Sequence, residues 1–413
     1  MHKLLSRYFP PSIEHASDGW LFLALAGSVS LVLLSIAAAQ IFLAAALIGY
    51  AWKIERPDFT ALMRHPILLP LLAFILWTIM AALVSPNSLQ SLSVLKKLFV
   101  YLLLLLIPAI VRKENQLTWI YKAIFAVSFV ACMGGLFQFF ANPERDLLHR
   151  ISGFMSHWMT YSGLLMLVFV MLLAYALCVG WRNHKWVVPL ACITILVLIL
   201  SETRNAWMGA IAGAFILVLL RRPRATLVLM LVLLAVYFAM PGKTKLRLQS
   251  GLDPNDPNTR NRIELFETSL RLIQHNPWFG VGPANVSHEA LQYRGSEEYP
   301  DWMYQHMHNN VLQIAAERGI PGLLLWLWLM IRLVWDAFQL YRSRAGGSAA
   351  GASGESLMLS AAAMGAWVAF VIAGMLEYNF GDSEVLTLFL FIMSAPYAVR
   401  RFEIRNSKFE TGS

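Results

Sequence analysis

Residues 158–180 read WMTYSGLLMLVFVMLLAYALCVG, 23 residues without an Asp, Glu, Lys or Arg. A helix needs roughly 20 such residues to cross a bilayer. With no water available to its backbone, a spanning segment must satisfy its own hydrogen bonds, which a helix does. Comparable apolar runs lie at about 18–34, 36–52, 66–84, 93–111, 117–140, 186–201, 204–220, 225–240, 320–341, 357–376 and 383–399. The pattern predicts an all-α polytopic membrane protein of about 12 transmembrane helices. Composition agrees: 58% of the 413 residues are hydrophobic and 14% are charged, against about 25% charged in a soluble domain. A large soluble enzyme is excluded. The net charge of +9 is no nucleic-acid footprint either, because the basic residues are scattered between apolar runs rather than gathered on one soluble face. Cys132, Cys178 and Cys192 all lie inside apolar runs without paired spacing, so neither a disulfide framework nor a cysteine metal site is expected.

The charge reports topology. With the N-terminus placed in the cytoplasm, eighteen Lys and Arg fall in cytoplasmic connections: Lys3, Arg7, Lys53, Arg56, Arg64, Arg112, Lys113, Arg182, Lys185, Arg221, Arg222, Arg224, Arg342, Arg344, Arg400, Arg401, Arg405 and Lys408. Five fall in the short outer connections: Lys96, Lys97, Arg145, Arg150 and Arg204. That asymmetry and an even number of spans put both termini in the cytoplasm. No cleavable signal is read at the start, because the first apolar run leads directly into others. Residues 241–307 are a 67-residue polar outer insertion with seven basic and eight acidic residues. The chain divides into 1–240 with the first nine spans, 241–319 as the outer loop with amphipathic helices, and 320–413 with the last three spans and a cytoplasmic tail. Residues 345–356, rich in Gly, Ser and Ala, read as a flexible linker.

No phosphate-binding loop with a Lys-Ser/Thr ending is present, so the chain is not expected to hydrolyse ATP. Ionisable residues fall near span ends rather than at the midplane, which weighs against an ion-coupled carrier. The outer ends gather chemistry at three places. Ser201-Glu202-Thr203-Arg204-Asn205-Ala206-Trp207 turns between two spans, with Ser201 or Thr203 as a cap. Arg204 then sits at a helix start, where an anion is welcome; it equally fits an arginine snorkelling to water beside Trp207. In the loop, Asn261 and Glu264 have capping-box spacing. Ile263, Phe266, Leu270 and Ile273 repeat at helical spacing, with Arg260 and Arg262 at the predicted start; these also fit a solvated first turn. Gly280-Val281-Gly282 reads as a tight turn. The third place is His306-Met307-His308-Asn309-Asn310, opening a short helix that Gly319 stops. Two histidines two apart would splay on a helix and make a poor metal pair. One histidine near the membrane surface is the best general base at neutral pH, although a capping or solvated histidine has the same signature. Arg, Arg and His on one membrane face suit a lipid-linked diphosphate. Cations hold the leaving group, and a base takes a proton from an acceptor hydroxyl. No Asp-x-Asp pair stands in the outer loop to hold a metal.

Three patterns carry a resemblance: Thr203-Arg204 at a span start; Arg262 through Pro277 to Gly280-Val281-Gly282-Pro283; and His308-Asn309 through Gln313, Glu317, Gly319, Pro321 and Gly322. In their order and spacing, within a twelve-span plan with one large loop before the tenth span, the chain resembles the O-antigen ligase family of bacterial inner-membrane glycan transferases. The resemblance implies a GT-C-like architecture, a polysaccharide donor on undecaprenyl diphosphate, and a lipid A–core acceptor. It also implies metal-independent inverting transfer in the periplasm, with no nucleotide or metal cofactor and no nucleic-acid partner. By position, Arg204 and Arg262 would contact the diphosphate and His308 would activate the acceptor. Arg260, Lys96 or Lys97, His306, Asn309 and Arg271 are lesser candidates; the two lysines are adjacent, so one of them is expected to face the site. The same superfamily contains O-antigen polymerases and protein O-oligosaccharyltransferases. The spacing from Arg271 to Gly282 fits the polymerases, whereas a single large outer loop favours the ligase. A lipid-linked glycan flippase is the alternative from another class.

Overall fold

The computed structural model describes residues 16–142, 150–239, 255–295, 299–346 and 354–410, with isolated positions between 242 and 253. Lys3, Arg7, Arg145, Lys243, Arg247, Glu297, Glu298 and most of the 345–356 linker lie outside the described residues. Among the described residues every regular element is helical. In chain order these are α1 (Ala16–Ser30), α2 (Ile36–Lys53), α3 (Arg56–Met63), α4 (Leu68–Val84), α5 (Ser88–Ile110), α6 (Glu114–Ala141), α7 (Trp158–Gly180), α8 (Val187–Leu200) and α9 (Arg204–Arg221). They continue with α10 (Ala225–Ala239), α11 (Pro257–His275), α12 (Val286–Glu289), α13 (Asn310–Ala345), α14 (Gly354–Gly374) and α15 (Ser383–Glu410).

Among the described residues eight helices are long and apolar enough to cross a membrane: α2, α5, α6, α7, α9, α13, α14 and α15. Four further apolar stretches are shorter, Gly19–Leu33, Leu68–Val84, Val187–Leu200 and Ala225–Ala235. The fourteen residues of α8 reach about 21 Å at 1.5 Å per residue, short of a hydrocarbon layer of about 30 Å. Among the described residues the predicted runs lie on helices, and eight of those helices meet the length of a full span.

Burial ranks the helices. α14 and α15 form the centre, with 78% and 83% of their apolar windows buried, while α2 stays peripheral at 17%. Close approach in the centre comes from small residues at helical spacing, the usual device for membrane helix pairs. Gly209 and Gly213 of α9 face Gly365, Ala369 and Ala373 of α14. A methyl group at Gly213 would lie 2.7 Å from Val170 and 3.0 Å from the Gly365 carbonyl; one at Gly209 would strike Met166 and the Ala369 carbonyl. This packing sets the start of α9, Arg204, beside the C-terminal end of α14.

The 241–319 segment has its own small core of Leu265, Leu272, Val281, Val286, Ala290, Met303, Tyr304, Met307 and Ala316. α11 begins at Pro257, with the Asp256 side chain accepting from Thr259 N. The helix therefore starts a turn before the predicted capping box. Glu264 does not cap; its carboxylate accepts from Thr268, the Gly295 N–H and Tyr304. Arg260 and Arg262 consequently lie in the second turn, past the free N–H groups of the helix start. The predicted apolar stripe also differs in role. Leu265 and Leu272 face the loop core, whereas Ile263, Phe266 and Leu270 are exposed.

Gly319, at φ +70°, breaks α13 into a short outer helix and a long one. The carbonyls freed at that break are met by the tight turn after α11. Val281 N donates to the Ala316 carbonyl at 2.9 Å and Gly282 N to the Glu317 carbonyl at 3.0 Å, while Ile320 N donates to the Pro277 carbonyl at 2.8 Å. Trp77 of α4 donates to the Arg318 carbonyl at 2.8 Å. The Pro277–Gly282 motif thus satisfies a helix end that would otherwise be buried unpaired.

Candidate functional site

The site is organised by the two asparagines that open α13. The Asn309 side chain accepts from Val311 N and Leu312 N, making it the N-cap, and its amide donates to the Met375 carbonyl at 3.0 Å. Asn310 donates to Asn379 at 2.6 Å and accepts from Phe380 N at 3.1 Å. Both bonds tie the start of α13 to the connection between α14 and α15. Met307 is buried in the loop core, and its N–H donates to the Gln313 side chain at 2.7 Å. The histidines on either side of it are held in an extended and a left-handed conformation: His306 at φ −159°, His308 at φ +45°. Positive φ is costly for a non-glycine residue and concentrates at functional positions.

This backbone turns both rings toward one carboxylate. His308 Nδ1 lies 2.9 Å from Glu377 Oε2, and His306 Nε2 lies 3.6 Å from Glu377 Oε1. The two imidazoles are 4.1 Å apart between ring centroids. The expectation that they splay apart fails because they precede the helix instead of lying on it. Glu377 is buried, and Tyr378 N also donates to it at 3.1 Å. Burial alone would raise its pKa, but the His308 hydrogen bond, the charges of His308 and His306, and the Tyr378 N–H outweigh it and hold the carboxyl below its ordinary value. Burial, with the neighbouring charges of His308 and His157, holds His306 below the ordinary imidazole range against the pull of Glu377. With Nδ1–H directed at Glu377, a neutral His308 presents an unprotonated Nε2, the form a general base requires.

The cations come from two other elements. Arg262 on α11 is half-buried, and among the described residues it has no ion pair or hydrogen bond from its side chain. Burial and the charge of Arg204 lower its pKa, while Glu377 raises it. Arg262 therefore lies within electrostatic reach of both Arg204 and Glu377, and Glu377 contacts His306 and His308, which links the five residues into one electrostatic cluster. Arg204 opens α9 after Thr203, whose backbone is extended. The Thr203 hydroxyl does not cap the helix but donates to the Ser201 carbonyl at 3.0 Å.

The other candidates separate. Arg260 is exposed and stands two residues from Arg262, so it leaves α11 on another side. Arg271 is held within α11 by Glu264 at 3.4 Å, Thr268 at 3.2 Å and Glu267 at 3.8 Å. Both lysines are exposed, but Lys97 reaches the Gly381 carbonyl at 3.5 Å, on the connection that carries Glu377. Asn309 positions the histidine loop. Two residues absent from the sequence reading join the cluster. Glu377 is one; the signal for it was a lone acid directly after an apolar span. His157 caps α7, accepting from Met159 N at 3.2 Å, and is influenced by Glu377 and His308.

Comparison with known proteins bears on this arrangement. Residues 189–327 match the O-antigen ligase family. The matched segment contains Arg204, Arg262, His306 and His308, and stops short of Glu377. A Rickettsia felis protein named as a polysaccharide ligase is 24% identical over 48% of this chain and 48% of its own length. Proteins of the same description from Rickettsia conorii and Rickettsia typhi are 26% and 27% identical over 30% of this chain and 28% of theirs. The chain thus spans about half the length, or less, of these curated relatives. A chain from a solved peptidoglycan synthase complex covers 82% of this chain and 98% of its own at 15% identity, with a TM-score of 0.47; that likeness is too weak to bear on the fold.

Proposed function

We propose that the protein is an O-antigen ligase, transferring polysaccharide from undecaprenyl diphosphate to a hydroxyl of lipid A–core at the periplasmic face of the bacterial inner membrane, with both termini in the cytoplasm. The transfer inverts the anomeric centre and needs no metal or nucleotide, in a GT-C-like architecture. The observation that carries the reading is that Arg262 lies within electrostatic reach of both Arg204 and Glu377, while Glu377 pairs with His308. In this reading the two guanidiniums hold the diphosphate and stabilise the charge that builds on it as the glycosidic bond breaks. His308 Nε2 takes the proton from the acceptor hydroxyl as its oxygen attacks the anomeric carbon from the opposite face. Glu377 fixes the tautomer and stabilises the imidazolium that forms. The proton then leaves to solvent at the mouth.

The lipopolysaccharide ladder of a deletion strain tests this. Loss of a ligase leaves full-length polymer stranded on the carrier lipid and core without a cap. A polymerase, the second reading, is favoured by the Arg271-to-Gly282 spacing, and its loss leaves core capped with a single repeat. Purified protein that joins donor to acceptor in detergent, with no membrane gradient, supports an enzyme; failure to do so with active substrates favours a flippase.

A further inference from the structure

We propose that His306, His308 and Glu377 form a zinc-binding site whose occupation withdraws His308 from proton transfer, so that Zn²⁺ is an inhibitor of this protein. The ligand-capable atoms of the three side chains all lie within 4.8 Å of one another. Two of the three separations are set by direct contacts, 2.9 Å from His308 to Glu377 and 3.6 Å from His306 to Glu377. Tetrahedral zinc with bonds of about 2.0–2.1 Å needs its ligands about 3.3 Å apart, so side-chain shifts of an ångström or so complete the set. Two imidazoles and one carboxylate are a borderline-soft donor set that suits zinc and not magnesium. Three protein ligands leave a fourth position open, and the exposure of the histidine side chains, 33% and 29%, puts it toward the mouth of the cluster. Nδ1 of His306 is buried without a hydrogen-bond partner, so rotating this ring to bring a nitrogen onto a metal breaks no hydrogen bond there. The backbone that aims the rings is fixed independently by Met307, Asn309 and Asn310. A metal would therefore find the histidines already converged.

Zinc takes Nδ1 of His308, its proton moving to Nε2, or takes Nε2 while the Nδ1–H is kept. Either way the neutral imidazole binds without net loss of a proton, and no lone pair is left to take the proton of the acceptor hydroxyl.

The inhibitory part rests on the reading of His308 as the base; the site itself does not. The test uses the full chain in detergent, stripped of metal with EDTA and dialysed. Titration with ZnCl₂ against a fluorescent zinc chelator should give one zinc per chain. His306→Gln and Glu377→Gln should each weaken binding at least tenfold, while His288→Gln, an exposed histidine elsewhere in the loop, should not. Substoichiometric zinc, or equal affinity in all four proteins, overturns the site. In the transfer assay, saturating zinc should lower wild-type turnover at least tenfold and EDTA should restore it. Turnover that rises with zinc and falls with EDTA overturns the inhibitory role by making the metal a cofactor. A chain that binds zinc in the predicted pattern but never joins donor to acceptor overturns the reading of His308, and with it the inhibition, and leaves the site standing.

Discussion

His308 Nδ1 sits 2.9 Å from Oε2 of the buried Glu377, across 69 residues of sequence. Hydrogen bonds from Asn309, Asn310 and the Met307 and Tyr378 N–H groups hold the segments on either side of that contact. Removing the acceptor should misorient the imidazole without unfolding the loop. Glu377→Gln is expected to lower transfer roughly 10–100-fold, as loss of a partner that orients a functional histidine does. Thermal unfolding at neutral pH should fall modestly, because the variant loses the contribution of the ionised Glu377 while its amide keeps the Tyr378 N–H contact. An unchanged turnover number would remove Glu377 from the mechanism.

The two arginines should act on the donor rather than on the fold. Arg262 has no carboxylate partner among the described residues, so its loss breaks no ion pair. Arg262→Ala and Arg204→Ala should each raise the donor KM or lower turnover by roughly 10–100-fold, the range of a lost charge-assisted hydrogen bond of about 1.5–3 kcal/mol. Arg271→Ala makes the contrast. It strips a half-exposed ion pair with Glu264, worth about 1 kcal/mol or less, and should lower loop stability with no selective effect on donor binding. Measuring donor KM and unfolding temperature for all three variants separates the two kinds of arginine.

Acid should loosen the histidine loop in two stages, and the signs follow from the two shifts. His306 is held below its ordinary value of 6.5. The unfolded loop therefore binds a proton that the folded one resists, and stability falls as pH drops below 6.5. Glu377 is held below its ordinary 4.5, so its contribution is present above that value and fades as pH falls toward its lowered one. Protection from hydrogen exchange over residues 306–312, taken relative to the intrinsic exchange rate at each pH, should fall across both windows in the wild type. In Glu377→Gln the lower stage should vanish and the upper one remain. Protection that is constant from pH 7 to 4 would contradict both assignments.

The spans were legible because their signal is redundant: a run such as 158–180 needs no partner to be recognised. The loop helix was legible as a helix but not in register. Asn261 and Glu264 have the right spacing for a cap, yet Asp256-Pro257 supplies a better one a turn earlier, and Glu264 is drawn instead into a buried network with Thr268, Gly295 and Tyr304. Arg204, Arg262 and His308 could be placed on one membrane face by topology alone. The coupling of Arg262 to both Arg204 and Glu377 could not be read there, since it depends on the packing of α9 on α14 through Gly209 and Gly213 and on Asn309 and Asn310 seating the histidine loop. Glu377 went unread because one acid after a span carries no local pattern; its meaning comes from a ring 69 residues away.

The break in α13 gives the last prediction. Gly319 adopts φ +70°, and a Cβ there would overlap the Trp278 carbonyl. Gly280, at φ +64°, faces the Ala316 carbonyl and the Glu317–Arg318 peptide in the same way. Neither neighbour is a side chain that can swing aside; both are backbone of the opposing segment. Left-handed backbone costs a non-glycine residue about 1–2 kcal/mol, and the overlap adds to it, so Gly319→Ala should destabilise by more than about 2 kcal/mol, with Gly280→Ala close behind. Gly242, which has open space around its would-be Cβ, should accept alanine with no change. The same substitution should also reach the site, because Gln313 and the Asn309 cap lie on the short helix that this break terminates, and Gln313 anchors Met307 between the two histidines. At permissive temperature Gly319→Ala should therefore lose transfer activity ahead of its global unfolding, read as inactivation preceding the fluorescence transition. Coincident loss of both signals would mean that the break supports the bundle alone.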